Sequence, residues 1–177
     1  IQSHINALSA GDFCCYGAWI MYADSTTLPG ATQTLLEEFI AAIGRGADVR
    51  ISLYVGMPDA GGQRQSHLRV KNDIGAAGGE VIIDIHHPVQ GSQHQKYAIF
   101  GKQLATGEYQ LTAFCGGIDP VYDRIDDPQH SATGILGVYH GWHDVHSKVE
   151  GPAAAYIWYD FASRWNENLD AWSFLRT

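Results

Sequence analysis

Between residues 13 and 85 the sequence changes its hydrophobic period again and again, and this alternation restricts the fold more than any other feature. "FCCYGAWIM" (13–21) is an apolar run of strand length, rich in aromatic and β-favouring residues. After the turn-like "DSTTLPG" comes "ATQTLLEEFIAAIGRG", in which Leu35, Leu36, Phe39, Ile40 and Ile43 recur at helical spacing before Gly44 and Gly46 supply a stop. "ADVRISLYVG" alternates and then turns wholly apolar, as a buried strand does. "GGQRQSHLRVKNDIGAAGG" reads as a weaker helix with Leu68 and Ile74 facing inward, and "EVIIDI" as a short strand. Strand–helix–strand–helix–strand predicts an α/β layer with parallel pairing, its right-handed crossovers laying both helices against the sheet.

Beyond residue 85 the pattern loosens. "KYAIF" (96–100) and "YQLTAFC" (109–115) are two further strands, joined across a hairpin loop from Gly101 to Gly107. A polar, irregular stretch runs from 116 to about 142, and "HDVHSKVEG" alternates as a last strand. Pro152 is well placed to open a helix. Ile157, Phe161, Trp165 and Leu169 then fall four apart on one stripe, which Trp158 widens. A membrane-surface helix would carry Lys or Arg on its polar face; this one has only Arg164, so it is expected to pack on the sheet.

The chain has 177 residues, the length of one domain with a real core, and no repeat or linker divides 1–177. With 45% apolar and 17% charged residues it reads as a soluble globular protein. Its 11 basic against 19 acidic residues leave a formal charge of -8, which disfavours nucleic acid as a partner. No apolar run approaches the ~20 residues of a membrane-spanning helix. No basic stretch leads into an apolar one, so no signal peptide is expected, and the compartment stays open. Ile1 in place of Met points to a processed or partial chain.

Several chemistries fit poorly. Cys14 and Cys15 are adjacent and, in a strand, point to opposite faces, while Cys115 stands alone; buried thiols are expected rather than a disulfide framework. The nine histidines show no metal-ligand spacing: His143 and His146 are three apart in a predicted strand, and His86, His87 and His140 match no ligand pattern. We therefore expect neither metal nor cofactor. Ser92 lacks the glycine and helix of a nucleophile elbow, and no phosphate-cradling loop is present.

His94 and Lys96 remain. Two residues apart in a strand they share a face, so an imidazole and an ammonium can converge on one phosphate. Alone, such a pair is ordinary polar alternation on a half-exposed strand. Here it opens an ordered series: "HQKYAIF", "AFCGGIDP", "DRIDDPQH" and "GWHDVHSKVEGPAAAYIWYDFASRWN". The series resembles the phospholipase D superfamily, the HxKxxxxD phosphodiesterases, and is most similar to the N-terminal catalytic lobe of the two-lobed phospholipases D. One position departs: the motif Asp, five residues after the Lys, is Gly101 here.

The resemblance implies a phospholipase D-like α/β lobe with a mixed, mostly parallel sheet flanked by helices. It implies a phosphodiesterase that hydrolyses or exchanges phospholipid headgroups through a phosphohistidine. His94 would be the nucleophile and Lys96 the phosphate clamp. Asp119 or Asp126 would orient His94, and the choice between them stays open. Gly116, Gly117, His143 and Asp144 would line or brace the substrate site. Only one HxK motif is recognised, since His146 and Lys148 lie inside WHDVH and its continuation, so a second catalytic histidine is expected from a partner lobe or a homodimer partner. A phospholipid substrate also implies peripheral membrane contact. Two competing expectations stand: Gly101 suggests a non-catalytic phosphate-binding lobe, and a single motif suits a dimeric nuclease.

Overall fold

The computed structural model describes residues 1–26, 31–55, 63–85, 91–119, 121, 124 and 142–174. A short helix, α1 (Gln2–Asn6), precedes β1 (Phe13–Ala18), α2 (Leu35–Gly44), β2 (Asp48–Tyr54), α3 (Gln63–Ala77) and β3 (Glu80–Asp84). Then come β4 (Tyr97–Gln103), β5 (Tyr109–Gly116), β6 (His146–Glu150) and the long α4 (Ala154–Phe174), entered through a single 3-10 turn at Gly151–Ala153 that carries Pro152. The predicted order of strands and helices is therefore present. α1, too short and too weakly patterned to read, is the addition.

The six strands form one sheet in the order β3-β2-β1-β4-β5-β6. β1–β2 and β2–β3 are parallel, as the two crossover helices require. β1–β4, β4–β5 and β5–β6 are antiparallel. The α/β class and the flanking helices are as expected, but the expectation of mostly parallel pairing is corrected to a mixed sheet with antiparallel pairs in the majority. The reason is β4, which enters beside β1 with no helix among the described residues between β3 and itself, and runs the other way.

Each face buries its own core. Cys14, Tyr16, Val49, Ile51, Ala98 and Phe100 meet α1, α2 and α3, while Cys15, Ile82, Tyr97, Ile99 and Ala113 meet Phe161 and Trp165 of α4. Cys14 and Cys15 do point to opposite faces, as strand alternation requires. α2 starts at a reciprocal capping box: Thr34 Oγ1 accepts from the Glu37 amide (3.1 Å) and Glu37 Oε2 accepts from the Thr34 amide (2.7 Å).

Two side-chain expectations are corrected. Leu68 is 44% exposed, because His67, Val70 and Ile74 form the inner face of α3. Leu169 is 47% exposed, its place on the inner stripe taken by Asn168, which is buried and accepts from the Ile85 amide. Trp142, ahead of β6, is 54% exposed and lies under the Arg124 guanidinium, 4.1 Å from the ring centroid.

Candidate functional site

Strand direction decides where the motifs meet. β1, β2, β3 and β5 end, and β4 and β6 begin, on the same rim of the sheet. His94 and Lys96 precede β4, Gly117 to Asp119 follow β5, and Trp142 to Val145 precede β6, so three motifs distant in sequence become neighbours. Residues 19–21 leave β1 at the same rim. This is the carboxyl end of the parallel strands, where open α/β sheets bind their ligands.

Lys96 is buried, and its Nζ lies 3.2 Å from Asp119 Oδ2, also buried. It donates as well to the His94 carbonyl oxygen at 3.1 Å. Asp119 Oδ1 accepts from the amides of Trp19 and Ile20, both at 3.1 Å. Among the described residues, the side-chain hydrogen bonds of Asp119 therefore go to Lys96 and to the chain leaving β1. The His94 ring is exposed and packs edge-on against the Trp19 indole, with centroids 4.9 Å apart. Lys96 Nζ lies over the same indole at 5.5 Å.

The two glycines at the end of β5, Gly116 and Gly117, are there for close approach. A Cβ on Gly116 would stand 2.1 Å from the Val145 carbonyl oxygen, and one on Gly117 would stand 2.1 Å from Asp144 Oδ1. Their amides instead donate to the carbonyls of Lys96 (3.2 Å) and Val145 (3.1 Å), sewing the three motifs together. His143 and Asp144 are exposed beside them, and Asp144 Oδ1 accepts from the Val145 amide. β6 starts only at His146, so the WHD residues precede the strand rather than belong to it. Asp126 lies outside the described residues.

A cavity of about 470 Å³ opens at this rim, lined by His94, Lys96, Cys115, Gly116, Tyr156 and Asp160 among others. A larger one, about 590 Å³, lies beside Asp12, Phe13, Arg50 and Trp165, away from this rim. Its arginine is already paired with Asp48 at 3.1 Å, whereas the smaller cavity brings His94 and Lys96 into one lining.

Charge at the rim is held under tension. Burial pushes the Lys96 ammonium below its ordinary value although Asp119 attracts a proton to it. Burial likewise raises Asp119 against two backbone amides and Lys96. Partial burial, and then the Lys96 charge, lower His94, which favours a neutral imidazole near pH 7. Such a ring is a nucleophile without further deprotonation. Among the described residues, no three or more His, Cys, Asp or Glu side chains gather as metal ligands.

Sequence reading missed Trp19, because "FCCYGAWIM" reads as one strand through Met21. β1 stops at Ala18, and the indole falls at the rim. An aromatic at the carboxyl end of a predicted parallel strand was the available signal.

No protein-family model matches the chain. Among curated proteins it is similar to phospholipase D gamma 2 of Arabidopsis thaliana, 33% identical over 93 residues, which is 42% of this chain and 11% of that protein. It is also similar to phospholipase D alpha 1 of Zea mays, 30% identical over 138 residues (74% and 17%). With phospholipase D alpha 1 of Carica papaya the identity is 26% over 199 aligned positions, 84% of this chain and 25% of that protein. The chain thus spans between about a tenth and a quarter of the length of these relatives. Among solved structures, the phospholipase D family member Nuc from Salmonella typhimurium shares the fold, with a TM-score of 0.55 at 16% identity, covering 93% of this chain and 84% of that one. Sequence similarity and fold agree, and the chain is related to the phospholipase D superfamily.

Proposed function

We propose that this chain is one lobe, 1–177, of a phosphodiesterase of the phospholipase D type, which cleaves or exchanges a phospholipid headgroup. The reading rests on one observation: His94 stands beside a buried Lys96 on the rim of an open cavity. In the first step a neutral ring nitrogen of His94 attacks phosphorus, and the bond from phosphorus to the headgroup oxygen breaks. A second histidine, present as imidazolium, gives its proton to the leaving alkoxide, so an alcohol departs, a phosphohistidine remains and the second ring is left a neutral imidazole. Water or another alcohol then attacks phosphorus, returns a proton to that second imidazole, and frees His94.

Lys96 holds a non-bridging phosphate oxygen as the equatorial charge builds. Asp119 keeps Lys96 in place. Asp126 stays a candidate to orient His94, and Gly116, Gly117, His143 and Asp144 to flank the substrate. The second imidazole comes from another HxK lobe of the same enzyme or from a homodimer partner. The phospholipid brings the site to a membrane surface. Gly101 favours the rival reading of a phosphate-binding lobe without activity, yet Gly101 lies inside β4, several residues from the reacting rim.

The test is intact mass spectrometry of the full-length protein after brief incubation with a short-chain phosphatidylcholine. We expect a phosphatidyl adduct that is absent, together with turnover, in His94→Ala. No adduct and no turnover in the wild type would leave the binding lobe, and cleavage of plasmid DNA in place of lipid would select the nuclease.

A further inference from the structure

Trp19 touches His94, Lys96 and Asp119, three of the groups assigned to the reaction. Its indole forms a wall against which the exposed His94 ring packs, with centroids 4.9 Å apart and planes 61° from parallel. Lys96 Nζ sits over the same indole at 5.5 Å, within reach of the π face. Its backbone amide donates to Asp119 Oδ1, the carboxylate that pairs with Lys96. Tyr54, at the carboxyl end of β2, stacks on the indole at 6.5 Å with planes 19° apart, so the ring itself is held.

We propose that Trp19 is the positioning residue of this site, an aromatic wall that fixes the His94 imidazole and the Lys96 ammonium relative to one another. The inference rests on His94 being the nucleophile. The physical need is clear from the geometry. Among the described residues, the Trp19 indole is the ring against which the exposed His94 side chain packs, and a free imidazole would sample several rotamers. In-line attack on phosphorus requires the ring nitrogen within a few tenths of an ångström of one position, and a 1 Å error costs roughly 100-fold. A flat wall selects one rotamer. Because the same wall carries the ammonium, the nucleophile and the clamp are spaced by one rigid ring instead of two mobile chains.

The experiment compares Trp19→Leu and Trp19→Phe with wild type in the full-length protein, using short-chain phosphatidylcholine. Trp19→Leu keeps an apolar side chain and loses the π face. We expect kcat to fall about 100-fold with KM nearly unchanged, and Trp19→Phe to recover most of that loss. A purely structural role would not split kcat from KM or be rescued by a smaller ring. Equal loss in both variants, or loss in neither, overturns the inference. A second measurement uses wild type alone: nuclear Overhauser contacts between the His94 and Trp19 ring protons, expected in the free protein and retained with orthovanadate bound. Their absence overturns the inference even if a variant fails to fold. His94→Ala separates the two claims. If it is inactive while Trp19→Leu is normal, only the role of Trp19 falls; if it is fully active, the phosphohistidine reading falls first.

Discussion

β4 is flanked by a lysine–aspartate pair near each of its ends, and the two pairs are built differently. Near its start Lys96 and Asp119 are both buried, and burial moves each toward its neutral form despite their mutual attraction. Near its end Lys102 is half in water, while Asp12 is 2% exposed and saturated with donors: Lys102 Nζ at 2.6 Å, the Gln103 amide at 3.0 Å, and the amide and hydroxyl of Ser9 at 2.8 and 3.0 Å. Burial alone would raise Asp12, but those donors outweigh it and hold the carboxyl at about 2. The second pair stabilises. The first holds two ions out of water at a cost which, under the proposed function, a bound phosphate would offset. An ammonium has three N–H donors, and the described bonds of Lys96, to Asp119 and the His94 carbonyl, use two.

Lys96→Met should break the contrast most visibly. Turnover should fall about 1,000-fold, the scale of losing a donor aimed at developing charge. Stability should drop by about 3 kcal/mol, because Asp119 is left buried without its cation. Adding Asp119→Asn should restore stability in a denaturant melt and leave the enzyme inactive. A single variant as stable as wild type would mean that the pair near the start of β4 carries no tension.

Asp12→Asn comes next. It should leave activity untouched and cost about 2 kcal/mol at pH 7, the worth of lowering a carboxyl from 3.8 to about 2. The sign follows from a folded-state value below the unfolded one. The stabilisation is present above the unfolded value and is lost as pH falls through the folded one. Urea melts of wild type and variant should therefore differ at neutral pH and converge as the pH approaches 2.

The smallest effect concerns His94. Its value is lowered by burial and then by Lys96, so imidazole resonances should titrate with a midpoint below the ordinary value of about 6.5. In Lys96→Met that midpoint should move up. The acid limb of kcat/KM in the wild type should follow the same titration. A limb at or above the ordinary value would mean that the nucleophile is not held neutral by its surroundings.

Gly101 shows how little of the β4 environment is legible from a motif. Read alone, it is a missing carboxylate. In the sheet it pairs with Phe13, whose ring lies where a side chain would stand: a Cβ there would be 2.0 Å from Phe13 Cε1. Asp12, next to Phe13, supplies a buried carboxylate close to Lys102 and Gln103. That arrangement has no local signature, since residues 12 and 101 are far apart in sequence.

The sequence by itself determined the order of the elements, the inward faces of α2 and the opposite facing of Cys14 and Cys15. Each of these follows from a period of 3.6 or 2.0 that is local to the chain. It read His94 and Lys96, and the HDVH residues, as lying within strands; the structure instead puts His94 and Lys96 ahead of β4 and Trp142 to Val145 ahead of β6. Only the tertiary structure decided that β4 enters beside β1 and runs against it, which brings those two segments, the chain after β5 and Trp19 onto one rim. It alone decided that α3 turns His67 inward and Leu68 out. Periodicity reports what each segment buries. Which strand becomes its neighbour depends on packing between distant residues, and that free energy leaves no trace in a local window.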